Sequence, residues 1–447
     1  MKLLKARFFA RLIFSLLLLV SLLAGAKLPD LNLNPVSYKL RNGLQVIIVE
    51  DSSLPLVSVV LAYGTGSIHD PENKEGLAYL MQNLMFQGSE NVGPLQHINY
   101  IQNVGGELNA ATTFDKTFFY QTVPSNQLGL VLWLESDRMH FLEITEQKLE
   151  REKENIIRNE NQRILQEPFS RYFFLIDQIM YPDFSYGHPL IGSANSIRNI
   201  SLEDVVNFYR KYYVPNNAVL CISGDIKTQK ARELVSRYFE SIPRGAEAIV
   251  FPSTALHQVF SSRDQTVIDP LVSTPGLQFG IRLENFQPGD QQLLRMLEQI
   301  LIAGKTSRLA NRLLRKERLA LYFSGGLEER RDFLSLKIFL LANNQAMIDR
   351  CKKIMLDEFN RLKTEMITDR ELERARNNYK FNYLNQLTGS NLSRAMALAD
   401  SYLKDGKLPA INDHLSFLEK VTSYSILSLA RRHLLEEKYC FITILPR

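Results

Sequence analysis

Tyr79, Gln82 and Asn83 stand at i, i+3 and i+4 in the stretch Asn73-Lys74-Glu75-Gly76-Leu77-Ala78-Tyr79-Leu80-Met81-Gln82-Asn83-Leu84-Met85-Phe86-Gln87-Gly88. On a helix they share one face. A metal hydrolase uses that spacing for His, Glu and His. Two histidines at i and i+4 grip one zinc ion, and the glutamate between them takes a proton from zinc-bound water. Here a phenol and two carboxamides hold those positions. They do not replace two neutral imidazoles as zinc ligands, and a Gln cannot accept a proton as a Glu does.

The helix that must carry this face is legible around it. Leu77, Leu80, Met81, Leu84 and Met85 recur at i, i+3, i+4, i+7 and i+8, the buried stripe of an amphipathic helix. Gly76, Leu77, Ala78, Phe86 and Gly88 frame the three polar positions. The frame resembles the H-x-x-E-H helix of the inverzincins, the insulinase/pitrilysin family of zinc metallopeptidases. In that family the helix usually reads Gly-Leu-Ala-His-x-x-Glu-His-x-x-Phe-x-Gly. The chain matches the frame and departs at all three functional positions. The resemblance implies a degenerate metal site of Tyr79, Gln82, Asn83 and Glu160. Glu160 follows the apolar pair Ile156-Ile157 in a charged helix expected over 145–165, and lies 77 positions after Asn83, as the family's third ligand does. A lone carboxylate binds zinc poorly, so no metal is expected in this chain.

Two further segments carry what the resemblance implies about peptide binding. Gly105-Gly106 is followed by Glu107 to Pro124, rich in Thr and aromatics and expected to form a strand pair. It resembles the family's Gly-Gly-x-x-Asn-Ala-x-Thr-x-x-Asp-x-Thr segment. There the strand beside the metal helix pairs with extended peptide by β-augmentation. Asn109, Ala110, Ala111 and Thr112 are the corresponding peptide-binding positions. Farther on, Arg315 and Tyr322 have the seven-residue separation of a family pair that reaches substrate near the metal. An Arg supplies fixed donors to a peptide carbonyl, and a Tyr can hydrogen-bond a developing oxyanion. The family's Gly-Leu-x before that Tyr is Leu319-Ala320-Leu321 here, and its Gly-rich stretch is reduced to Gly304.

The remaining landmarks organise the chain. Gly187-His188-Pro189-Leu190-Ile191-Gly192 and Tyr213-Val214-Pro215-Asn216-Asn217-Ala218 match architectural family segments, so His188 is expected to be structural. Ser201 with Asp204 reads as a capping box. Residues 421–433 echo 200–212, and 440–445 echo the strand around Cys221. Such duplication predicts an α+β fold of two similar halves facing each other as a clamshell, each a mostly antiparallel sheet covered by helices. The expected boundaries are a signal peptide over 1–26, a first half over 27–242, a linker over 243–264 and a second half over 265–447.

Composition excludes several classes. At 45% hydrophobic and 23% charged residues the chain is ordinary globular protein, and a net charge of +5 without a basic arm disfavours nucleic acid. Lys2, Lys5, Arg7 and Arg11 precede an apolar core over 12–23 and Ala24-Gly25-Ala26. That reads as a cleavable leader to the periplasm or cell envelope, the alternative being an anchor that is kept, with no membrane span expected in the rest of the chain. Three cysteines form no disulfide framework, and the seven histidines form no metal-spaced cluster. No Gly-x-Ser-x-Gly is present.

The sequence therefore predicts an insulinase-like chain that is inactive alone. The expected role is a non-catalytic subunit pairing with a homologous H-x-x-E-H-bearing chain, which would hold the zinc, in an exported peptide-degrading or processing complex. Arg315 and Tyr322 would act on its extended peptide substrate. The alternative is a structural or peptide-binding envelope protein with no catalytic partner.

Overall fold

The computed structural model describes residues 33–161, 166–182, 186–246 and 263–447. The expected leader and 247–262, most of the expected linker, lie outside the described residues.

The first sheet contains β1 (Val36–Lys39), β2 (Gln45–Glu50), β3 (Leu56–Tyr63), β4 (Glu107–Thr112), β5 (Thr117–Pro124) and β6 (Ala218–Gly224). Their order is β1-β2-β6-β3-β5-β4. β2 and β6 are parallel, and the other pairs antiparallel. The second sheet contains β7 (Arg263–Ile268), β8 (Gly276–Leu283), β9 (Ala320–Glu329), β10 (Leu334–Ala342) and β11 (Cys440–Leu445), in the order β7-β11-β8-β10-β9. Again the first pair is parallel and the rest antiparallel. With β1 set aside, the two orders correspond strand for strand. The duplication expected from sequence is thus one of topology.

Local signals repeat with it. Ser201 and Asp204 form both bonds of a capping box at the start of helix Leu202–Tyr212, which leads into β6. Thr422 and Ser425 do the same for helix Ser423–His433, which leads into β11. Each box satisfies backbone N–H groups that a helix start leaves without partners.

β3, β6 and β8 are buried along nearly their whole length. Strands covered on both faces read as continuous apolar runs. One face of each sheet carries helices of its own half. The other face carries a helix from the opposite half. Helix Asn391–Asp405 lies on β3 and β6, where Leu398 and Ala399 join Val60, Ala62 and Cys221 in one core. Helix Ser170–Met180 lies on β8 and β11. Its approach is close: a Cβ on Gly280 would stand 2.7 Å from Met180 Sδ. The halves are therefore interlocked by an exchanged pair of helices.

The two hairpins meet turn to turn. Arg331 N donates to Asp115 Oδ2 at 3.0 Å, Tyr186 Oη donates to Asp115 Oδ1 at 2.7 Å, and the Arg330 guanidinium sits 4.1 Å over the Phe114 ring. All three cysteines are buried and unpaired. Among the described residues, no helix is long and apolar enough to cross a membrane.

Candidate functional site

The site is built on helix Leu77–Leu84. Its apolar stripe is buried as the periodicity requires: Leu77, Leu80, Met81, Leu84 and the following Met85 are all at most 2% exposed. Burial of each such side chain contributes about 1.5–3 kcal/mol. The helix start is fixed by a residue that no spacing rule singled out. The buried Asp70 carboxylate accepts from Gly76 N and Ala78 N, each at 2.8 Å. Burial pushes the Asp70 carboxyl up, although these bonds oppose the shift. Gly76 has φ +92°, and a Cβ there would lie 2.5 Å from Ile191 O. The family-like Gly187–Gly192 segment is thus packed against the helix start. His188 places Nε2 3.1 Å from Ser67 O, and burial holds its imidazole below the usual range. Its setting is architectural.

Tyr79, Gln82 and Asn83 lie together on the half-buried face of the helix. Thr112, at the end of β4, donates its hydroxyl hydrogen to Gln82 Oε1 at 2.8 Å. Asn83 Nδ2 donates to Tyr79 O, one turn back, at 3.1 Å. β4 is the outer strand of its sheet. Ala110 N is held by the neighbouring Asn109 Oδ1 at 2.8 Å instead of by a strand. Alternation along an antiparallel strand then turns the main-chain groups of Leu108, Ala110 and Thr112 toward the open edge. The structure thus brings Gln82, on the face expected to be a degenerate metal site, beside the strand expected to bind peptide, Asn109 to Thr112.

Sequence reasoning expected one helix over 145–165. The structure instead has an α-helix at Glu146–Asn155, continued by a π-helical stretch, Ile156–Asn161. A π-turn widens the helix and rotates the residues after it. Glu160 falls in this stretch, and its side chain lies outside the described residues.

The donor set does not fit zinc. Gln82 Oε1 is engaged by Thr112, and Asn83 presents an amide donor to its own helix. A neutral carboxamide pair and a phenol lack the imidazole nitrogens such a site uses. Among the described residues, no three His, Cys, Asp or Glu side chains cluster as a metal site would need.

Arg315 and Tyr322 are both exposed. Arg315 is the penultimate residue of the π-helical stretch Asn311–Lys316 and has no ion-pair partner among the described residues. Tyr322 lies near the start of β9, with its ring 6.1 Å from Phe339. The hairpin turn lies at the other end of β9, roughly 20 Å along the strand. Thr112, by contrast, adjoins that meeting point. No hydrogen bond, ion pair or ring contact among the described residues joins Arg315 or Tyr322 to the Tyr79–Asn83 face.

Two family models match the chain. Residues 45–194 match "Insulinase (Peptidase family M16)", and residues 199–379 match "Peptidase M16 inactive domain". The chain belongs to the insulinase, or M16, peptidase family. Among its relatives is the zinc protease PqqE of Helicobacter pylori, 27% identical over 382 residues, 85% of each chain. The structure of a protease from Helicobacter pylori superposes with a TM-score of 0.86 at 24% identity, covering 92% of this chain and 99% of that one. A peptidase M16 inactive domain from Pseudomonas fluorescens gives 0.80 at 19% identity, covering 93% and 99%. The insulinase-like topology thus extends over nearly all of the described residues.

Proposed function

We propose that this M16 chain is the non-catalytic member of a two-chain exported peptidase, pairing with a homologous chain that bears H-x-x-E-H. The observation that carries this reading is the face of helix Leu77–Leu84. Its fold and anchoring are kept, while its three functional positions are Tyr79, Gln82 and Asn83. The exposed Arg315 and Tyr322 support it further. Set apart from the degenerate face, they are available to a second chain. An Arg without an ion-pair partner can donate to a peptide carbonyl, and a phenol can donate to an oxyanion. Zinc in this reading belongs to the partner. The basic leader with its apolar core and Ala24-Gly25-Ala26 supports action in the periplasm or cell envelope.

The test is recovery of the mature protein from its native envelope fraction, with identification of what co-purifies by mass spectrometry. A similar-sized chain carrying intact H-x-x-E-H, and zinc-dependent peptidase activity in the eluate, is the expected result. Recovery of no such chain and no activity would sink the reading.

One observation favours a second role, that of a peptide-holding protein with no catalytic partner. The open edge of β4 is occupied at Ala110 only by the side chain of Asn109. A strand edge so placed can accept extended peptide whatever its side chains.

A further inference from the structure

One face of the second sheet carries an aromatic cleft that includes Tyr322. In the pairing of β9 with β10, Tyr322 stands opposite Leu341 and Ser324 opposite Phe339. Tyr322 and Phe339 are therefore diagonal neighbours on one face, a separation that aromatic rings can span. Their centroids lie 6.1 Å apart.

Helix Ser170–Met180 covers the inner part of the same face. It meets β8 at Gly280, which stands opposite Lys337, two residues from Phe339. The start of that helix brings Phe169 and Phe173 to Phe339 as well, each ring 5.3 Å from it. Among the described residues, no ring contact joins Tyr322 to Phe169 or Phe173. Phe339 is thus a floor between two aromatic walls. The floor is only 8% exposed, whereas Phe173 and Tyr322 are 42% and 50% exposed. The half-buried Leu341 continues the apolar surface beside Tyr322.

The wall on the helix side is held in an unusual way. Phe169 has φ +70°, which is rare for a bulky residue. Its ring lies over Gly276, where a Cβ would stand 2.7 Å from Phe169 Cε1. Backbone of this kind persists where its surroundings over-determine it, and it concentrates at ligand-binding sites. Single exposed apolar side chains are ordinary, but rings converging on one floor form a continuous seat.

We infer that this cleft is a specificity subsite, which seats one aromatic or large aliphatic side chain of an extended peptide and rejects a carboxylate. The inference rests on the proposed role of Tyr322 as a substrate contact. The phenol hydroxyl then serves the peptide main chain, and the ring serves a neighbouring side chain. An aromatic side chain entering over Phe339 meets Phe173 and Tyr322 in the edge-to-face or offset arrangements that rings prefer. A carboxylate would give up its water, and the rings of Phe169, Phe173 and Phe339 offer it nothing in exchange.

The test uses the isolated full chain and fluorescein-labelled peptides Ser-Ala-Ala-X-Ala-Ala-Ser, with X as Phe, Ser or Glu, read by anisotropy. The Phe peptide is expected to bind about tenfold or more tightly than the Ser peptide, the factor that burial of one aromatic side chain supplies. The Glu peptide should bind no better than the Ser peptide. Phe173→Ser should bring the Phe and Ser peptides within about threefold of each other. A peptide with p-benzoylphenylalanine at X should cross-link on irradiation to the cleft residues, located by mass spectrometry. Several outcomes would overturn the inference: no binding of the Phe peptide at millimolar concentration, equal binding of the three peptides, a preference that Phe173→Ser leaves intact, or cross-links only outside the cleft. Where Phe173→Ser fails to fold, the peptide series and the cross-links on the unaltered chain decide. Neither a partner chain nor zinc takes part, so these results are distinct from failure of the two-chain reading, which co-purification decides.

Discussion

Thr112, on the outer strand of the first sheet, donates its hydroxyl hydrogen to Gln82 on the neighbouring helix at 2.8 Å. By the resemblance of the helix frame, the carboxamide it holds takes the position of the family's proton-accepting carboxylate. The bond joins the degenerate face to the strand edge in one neutral polar unit. Thr112→Val removes the donor and leaves Gln82 Oε1 without its partner. A loss of about 1 kcal/mol in stability is expected, measured as a lowered midpoint in urea unfolding. An unchanged midpoint would mean that water replaces the bond without loss.

The isolated chain is expected to hold well under one equivalent of zinc after dialysis and to cleave no peptide. Tyr79→His, Gln82→Glu and Asn83→His together should raise zinc to about one equivalent, since the helix frame is intact. Adding Glu160→Gln to that triple variant should lower it again. Elemental analysis by mass spectrometry reads all three cases. Retention of metal after the fourth substitution would remove Glu160 from the ligand set.

Arg315 and Tyr322 are exposed and lie apart from the chain's own degenerate face. In the reconstituted two-chain enzyme, Arg315→Ala or Tyr322→Phe should lower kcat by about 10²- to 10³-fold, the usual effect of losing an oxyanion donor. Size-exclusion chromatography should show assembly unchanged. Unchanged turnover in both variants would count against the in-trans role.

Asn109 Oδ1 occupies the Ala110 N–H that a bound peptide strand would use. Asn109→Ala frees that donor. Binding of a fluorescein-labelled extended peptide is then expected to tighten by about threefold to tenfold, the equivalent of one modest hydrogen bond. Weaker binding by anisotropy would show that the Asn109 side chain contacts the peptide itself.

Asp51 links the halves through the exchanged helix. Its Oδ2 accepts from Arg394 Nη1 at 2.8 Å, and its Oδ1 from Ser53 N at 3.0 Å. Hydrogen bonds from Ser53 first, and then from Arg394, hold its pKa down at about 2. A depressed carboxylate contributes stability above its unfolded pKa of about 3.9, and this is lost as pH falls toward 2. Asp51→Asn should therefore destabilise the chain at pH 6 and make little difference near pH 2. Thermal unfolding across that range measures the convergence, and a constant difference would contradict it.

Local interactions were legible in the chain alone. The Leu77–Met85 stripe needs only a 3.6-residue period, and the Ser201–Asp204 capping box needs only a hydroxyl and a carboxylate three residues on. Topological duplication could be read because the same local signals recur in the same order. The family frame around Tyr79, Gln82 and Asn83 was equally visible, since it is a pattern of consecutive residues. Glu160 was placed on an ordinary helix because the π-helical stretch does not disturb an apolar periodicity that short.

Other features join residues far apart in sequence, and only the tertiary structure could decide them. Asp70 anchors the site helix through bonds to Gly76 and Ala78, across a turn that no capping rule describes. The bond from Thr112 to Gln82 depends on how a helix lies against a strand edge. The helices Ser170–Met180 and Asn391–Asp405 each pack on the sheet of the opposite half, a pairing that a helical period does not encode. Close approaches such as Met180 at Gly280 depend on that pairing. The residue types fixed what each face could do chemically, and long-range packing decided which faces meet.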